Sequence, residues 1–272
     1  MFSNPTVEIG ALAFILLYVF AARRTGNHFY LYQVCALSSA MGILILTLDG
    51  PIDWLEDARL FTAHMVQHLI LALVIPPLLL IGTPDWLIRP LLSMKLLGKA
   101  VHLLVHPVVA YIVYNLILVG MHSPKIFDLM CRNESFHVLM HLLLLSAAIF
   151  LWWPLLSPLP EFPRISYPAQ MLYLFFWLIP MAAVAAPITM AASVIYPWYL
   201  GGTHPFGLSP LSDQVLGGLT MWVGAGFYMI GVFTTIYFQW ARYEDLDEPE
   251  FNFMAPATRG SDIRDNGGTT AD

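Results

Sequence analysis

The sequence predicts an all-α integral membrane protein, a bundle of seven transmembrane helices with its N-terminus outside and its C-terminus in the cytoplasm. Three observations predict it. Of 272 residues, 58% are hydrophobic and only 11% charged, more apolar side chain than a soluble domain of this length can hide beneath a polar surface. Apolar runs of about spanning length recur along the chain. Lys and Arg are distributed unevenly between those runs, as orientation in a bilayer requires.

The runs fall at 6–22, 29–49, 61–82, 100–121, 135–154, 168–193 and 213–240. In the first, "MFSNPTVEIGALAFILLYVFAARRTG" has no basic stretch ahead of its apolar core, and Arg23 and Arg24 follow it. That order suits a span entering from outside rather than a cleaved signal. Inside segments then hold Arg23, Arg24, Arg89, Lys95, Lys99, Arg164, Arg242, Arg259 and Arg264, while outside segments hold Arg59, Lys125 and Arg132. The bias is nine to three. Pro76–Pro77 should bend the third span and Pro180 with Pro187 the sixth, since each proline removes a helix hydrogen bond. Gly217, Gly224 and Gly231 give the last span a smooth stripe for a neighbouring helix, and Trp152–Trp153 mark the cytoplasmic interface. The membrane domain covers 1–243. The tail, 244–272, is acidic and reads as disordered and cytoplasmic. No repeat or second domain is visible.

The remaining composition narrows the function. The net charge of −6 says little, because eight of the eighteen acids lie beyond residue 243. No basic patch points to nucleic acid. Cys35, in an apolar run, and Cys131, in a loop on the other side, form no disulfide framework.

Six of the nine histidines fall at the outer side in this topology. His64 and His68 lie in the first turns of the third span, and His137 and His141 at nearly the same depth in the fifth. His122 lies where the fourth span emerges, and His204 is in an outer loop. Asp49 and Asp213 flank this level. An i, i+4 spacing puts each pair on one helical face, so two facing helices would offer up to four imidazoles to one pocket. Imidazole ligates copper, zinc, iron and nickel, and a carboxylate orients the ring from its other nitrogen. Asp49 and Asp213 are candidates for that carboxylate or for ligands themselves. Met65, Met121 and Met140 could add thioether contacts suited to Cu(I). Gln67 is either a hydrogen-bonding partner or an interfacial residue. A lone interfacial histidine signifies little; two pairs at one depth, in a medium where polar groups are costly, signify a site. His102 and His106 form a third pair at the cytoplasmic start of the fourth span, where only His28 shares their side, and read as interfacial.

Three stretches, "HMVQHLILALVIPPLLLIGTP" (64–84), "HVLMHLLLLSAAIFLWWPL" (137–155) and "SDQVLGGLTMWVGAG" (212–226), resemble the multi-spanning CtaG family of cytochrome c oxidase assembly factors, those serving caa-type oxidases. The likeness runs over about residues 10 to 240. It implies a seven-span protein of the bacterial plasma membrane that helps mature a haem–copper oxidase by handling copper, in contact with oxidase subunits and membrane lipid. The site residues it implies are His64, His68, His137, His141 and Asp213; His122 and Asp49 rest on spacing and depth alone. The leading expectation is therefore a non-enzymatic factor that binds copper, as Cu(I), in an outward-facing pocket. The alternatives are an intramembrane zinc hydrolase with Asp49 or Asp213 as base, a bis-histidine haem protein, and a scaffold whose histidines bind nothing.

Overall fold

In a computed structural model, which describes residues 5–25, 30–203 and 205–247, every regular element among the described residues is helical. The elements are α1 (Pro5–Thr25), α2 (Leu31–Leu48), α3 (Pro51–Asp57), α4 (Phe61–Leu69), α5 (Ile75–Gly82), α6 (Asp85–Leu92), α7 (Lys95–Leu104), α8 (Pro107–Met121), α9 (Pro124–Arg132), α10 (Glu134–Leu156), α11 (Tyr167–Met190), α12 (Pro210–Leu219) and α13 (Ala225–Asp247). Two π-helical turns, Ile70–Val74 and Thr220–Gly224, join α4 to α5 and α12 to α13. Each of the seven apolar runs is mainly helical over its described residues, the fourth being broken at 105–106. Among the described residues five helical stretches are long and apolar enough to cross a membrane, and α7 with α8 makes a sixth if that pair, bent by 84°, is one broken span. His28, His204 and the tail beyond residue 247 lie outside the described residues.

Local chemistry sets the helix starts. Proline occupies the first turn of α3, α8, α9 and α12, where its missing N–H costs nothing and its fixed φ suits a helix. Asn133 and Ser209 cap α10 and α12 by accepting from the N–H groups of Phe136 and Ser212.

Proline also shapes the interior. Pro76 and Pro77 cannot donate to the carbonyls four residues earlier, Ala72 and Leu73, and an unpaired carbonyl in hydrocarbon is costly. Side chains of other helices supply the missing donors. The Trp152 indole N–H of α10 donates to Ala72 O (2.9 Å) and the Tyr228 hydroxyl of α13 to Leu73 O (2.6 Å). Pro180 similarly frees the carbonyl of Phe176, which accepts from the Tyr111 hydroxyl of α8 at 3.1 Å. Pro76–Pro77, where a bend was expected, is thus a junction between helices.

α10 packs against α8 and α5, α12 against α4 and α11, and α2 against α5. The last contact is close because Gly82 lies on the backbone of Leu37, 2.8 Å from where a Cβ would sit. The expected glycine stripe is only partly a contact. A Cβ on Gly217 would collide with the ring of Phe61, whereas one on Gly231 would meet no atom within 4 Å. The stripe serves α12, where helices approach, and lapses along α13.

Candidate metal centre

The helix starts of α4 and α10 and the end of α8 lie together at one end of the bundle, and they bring five imidazoles into contact. Ring centroids are 4.3 Å apart for His64–His68, 4.3 Å for His137–His141, 5.0 Å for His64–His137, 5.1 Å for His68–His141 and 5.5 Å for His68–His122. The i, i+4 spacing stacks each pair on its own helix, and packing of α10 on the α4–α5 rod turns the pairs toward each other. His64, His68, His122 and His141 are buried; His137 is half-buried.

The donor atoms are primed in a specific sense. His122 Nδ1 lies 2.8 Å from Leu118 O; a carbonyl only accepts, so the proton is on Nδ1 and the Nε2 lone pair is free. His64 Nδ1 lies 3.1 Å from a Glu56 carboxylate oxygen, which fixes the same tautomer. The Nε2 atoms of His64 and His122, and both ring nitrogens of His68, are buried without a hydrogen-bond partner. Orphaned buried polar atoms are rare and costly, so several converging on one spot make this cluster a candidate coordination site. His137 Nε2 and His141 Nε2 are 3.2 Å apart. Among the described residues, two groups have donor atoms all within 4.8 Å: His64, His68 and His141, and Glu56, His64 and His137.

The Caa3_CtaG family model, cytochrome c oxidase caa3 assembly factor, matches residues 13–243. The chain belongs to that family. The family is described as one of cytochrome c oxidase caa3 assembly factors. It is also similar to the uncharacterized proteins Mb0105 of Mycobacterium bovis and MT0111 of Mycobacterium tuberculosis, each 26% identical over 258 residues, and to ML1998 of Mycobacterium leprae at 25%. These alignments cover 87% of this chain but only 39% of each relative, so the chain spans about two fifths of their length. No solved structure matches.

The acids are arranged differently from the sequence expectation. Asp213 is buried, but it faces the start of α4 rather than the imidazoles. Its two carboxylate oxygens accept from the backbone N–H groups of Phe61 (2.6 Å) and Thr62 (3.0 Å), and the Thr62 hydroxyl lies 2.7 Å from Oδ1. The N-cap residue of α4, Leu60, has no side chain that could do this. A carboxylate from α12 therefore caps α4 and meets the positive end of its dipole, two residues before His64. Gly217, one turn on, lets α12 come close enough. Asp49 caps the end of α2 through its backbone N–H to Ile45 O (2.9 Å) and joins neither donor group. Of the three methionines expected to add thioether contacts, Met65 lies against Gly217 of α12.

The acid that does reach the imidazoles, Glu56, was not singled out from the sequence. Residues 58–60 reverse the chain, with Arg59 at φ 61, a left-handed conformation unusual for a residue with a Cβ. The reversal lays α3 against α4 and Glu56 beside His64. Arg59 is held in place by its guanidinium stacking 4.0 Å over Trp198, with Gly201 and Gly202 leaving room beneath. Gln67, left open above, is a partner: its amide donates to Thr47 O (3.1 Å) and an Asp53 oxygen (3.2 Å), tying α4 to α2 and α3.

Phe127 of α9, Phe61, Tyr196 and Tyr199 form an aromatic wall beside the imidazoles, with the Phe127 ring tilted 52° to that of His64 at 5.1 Å. Tyr196 donates its hydroxyl proton to His122 O at 2.9 Å. Behind the wall, burial pushes the Cys131 thiol up to about 12, which leaves it protonated and a poor metal ligand. His102 and His106 do not repeat the arrangement. α7 ends at Leu104, and His106 is the N-cap of α8 with extended backbone (ψ 125). The pair therefore straddles the sharp bend, both rings exposed, on no common helical face.

Proposed function

We propose that this assembly factor holds copper as Cu(I) between the imidazoles of His64, His68, His141 and His137, with His122 alongside, and passes it to a subunit of a haem–copper oxidase. The convergence of unpartnered, buried nitrogens carries the reading. An ion among them would receive the lone pairs that otherwise find no hydrogen, and neutral imidazoles suit copper. Asp213 contributes by fixing the first turn of α4, and Asp49 by ending α2. Copper is cargo here, so ligand exchange is the only chemistry required.

The topology in this reading has seven spans in a bacterial plasma membrane, the amino end and the histidine cluster outside, and the acidic tail in the cytoplasm. The nine-to-three bias of Lys and Arg supports it. So does the position of the cluster at the starts of α4 and α10, which this topology directs inward from the outer face.

The rings touch one another at 4.3 to 5.7 Å between centroids. That favours a single ion over haem, whose macrocycle needs a slot between its axial histidines. Zinc would also accept three imidazoles, and metal analysis separates the two. Full-length protein, purified in detergent and loaded with Cu(I) anaerobically, should carry copper and show no Soret band. His68→Ala together with His141→Ala should remove the tightly held copper while the elution profile and helicity stay unchanged. Copper content indifferent to that pair, or zinc in its place, would refute the assignment.

A further inference from the structure

The two donor groups share His64 but differ in charge and depth, and we infer that they are successive stations for the same ion, an outer one built on Glu56 and an inner one made of imidazole alone. The inference rests on the copper reading above and deepens it. The Glu56 side chain is 11% exposed and that of His64 is fully buried. His137 is half-buried, while His68 and His141 are buried. Solvent contact thus decreases from the Glu56–His137 side toward His68, and the order of the stations follows from it.

The donor types fit that order. A cation arriving from water loses hydration that a neutral ligand set only partly replaces. A carboxylate at the mouth both attracts the cation and neutralises it during desolvation. Held there, however, the ion would sit in a strongly attractive set close to solvent. Moving one step inward, copper exchanges its bonds to Glu56 and His137 for bonds to His68 and His141, and passes from one nitrogen of His64 to the other. It remains Cu(I), and no electron moves. At the outer station His64 binds through Nδ1, the nitrogen 3.1 Å from the Glu56 carboxylate, with its ring proton on Nε2; at the inner station it binds through Nε2 with the proton back on Nδ1 facing Glu56, so the ring changes tautomer and no net proton is released. After the step, Glu56 becomes the orienting partner of a metal-bound histidine, a carboxylate–histidine–metal arrangement that raises the basicity of the ligand. One acid thus serves as the receiving ligand and then as the support. His122, with its free Nε2 nearest His68, marks the inner end.

The test is the rate of Cu(I) uptake by the full-length protein in detergent, followed anaerobically against a chromophoric Cu(I) chelator. Glu56→Gln keeps an oxygen to accept from His64 Nδ1 and removes the charge, so the fold is preserved. It should slow uptake about tenfold or more, in line with the effect of charge on cation capture, and weaken affinity about tenfold or more through the lost orienting carboxylate, while saturating Cu(I) still fills the inner station. Its uptake should also lose most of its salt dependence. His68→Ala with His141→Ala should leave one loosely held copper, which adding Glu56→Gln removes. If Glu56→Gln takes up copper at the wild-type rate while the His68/His141 pair still abolishes tight binding, the outer station is overturned and the copper site stands. If wild type binds no copper, both fall together.

Discussion

The carbonyl of Leu73 has no backbone donor because residue 77 is proline, and the hydroxyl of Tyr228, 2.6 Å away, takes that place. Tyr228→Phe removes this hydroxyl and nothing else. Leaving a buried carbonyl unpaired costs roughly 1–3 kcal/mol in proteins generally, while polar pairs inside membranes average about 0.6 kcal/mol with a maximum near 1.7. Two features of the site pull in opposite directions. The short distance raises the value, but Tyr228 lines a cavity of about 440 Å³ that can admit water to the abandoned carbonyl. The expected loss is about 1 kcal/mol, roughly fivefold in the unfolding equilibrium. Pro77→Ala returns a backbone N–H to Leu73 O, so in that background Tyr228→Phe should cost about 0.3 kcal/mol or less, a coupling typical of groups sharing one partner. Reversible unfolding by SDS in mixed micelles, read by circular dichroism, gives all four corners of the cycle. Equal costs in both backgrounds would refute the claim that the hydroxyl substitutes for the donor that proline lacks.

Asp213→Asn should lower stability by about 1–2 kcal/mol, through a lost anion at the start of α4 and an amide turned against an N–H; a thermal melt in detergent checks it, and an unchanged midpoint would contradict the capping role. Gly217→Ala drives a methyl into the buried Phe61 ring and should cost about 1–3 kcal/mol, whereas Gly231→Ala, with open space around it, should stay within about 0.5 kcal/mol. Burial holds the Cys131 thiol at about 12 against an ordinary 9.0, so its thiolate fraction at pH 8 is about a thousandfold below that of a free thiol. In a Cys35→Ser background, iodoacetamide labelling should be slow when folded, keep rising with pH past 9 because burial disfavours the anion, and become fast on denaturation. Rapid labelling of the folded protein at pH 8 would show that the thiol is solvated.

The helical character was legible because twenty apolar residues in a row admit few other interpretations, and the histidine pairs were legible because i, i+4 spacing on a helix fixes a common face. Both arguments depend on an unbroken helix, and both fail where the helix breaks. At His106 the following proline disfavours helical backbone in the residue before it; the break separates His102 from His106, and the same spacing that unites His64 and His68 has no meaning there. The prolines at 76 and 77 announced a bend but not its consequence. That Trp152 and Tyr228 would supply the missing donors depends on which helices are neighbours, and neighbours are a tertiary fact. The glycine repeat misled for a related reason: a seven-residue period describes one face of an ideal helix, but the helix that Gly217 admits, α4, does not accompany the span down to Gly231.

The acids expected near the site show what decides a charge's role in this fold. Asp49 was placed by depth and Asp213 by depth and resemblance, yet depth does not distinguish a carboxylate facing a cation from one facing the N–H groups of a helix start, which attract it for the same electrostatic reason. Asp213 went to α4 because Leu60 cannot cap its own helix. Glu56 escaped notice because reaching His64 requires a reversal at Arg59 in a conformation that sequence rules reserve for glycine or asparagine. The side chain at 59 explains the exception: a glycine would turn more easily but would lose the stack on Trp198 that holds the turn in place. Arg59 is also one of only three basic residues on the outer side of the proposed topology, and the reason for its retention there lies in the fold, not in orientation. A negative charge beside neutral imidazoles in apolar surroundings lowers the cost of bringing a cation among them. The turn at Arg59 places Glu56, 3.1 Å from His64, where it would do so.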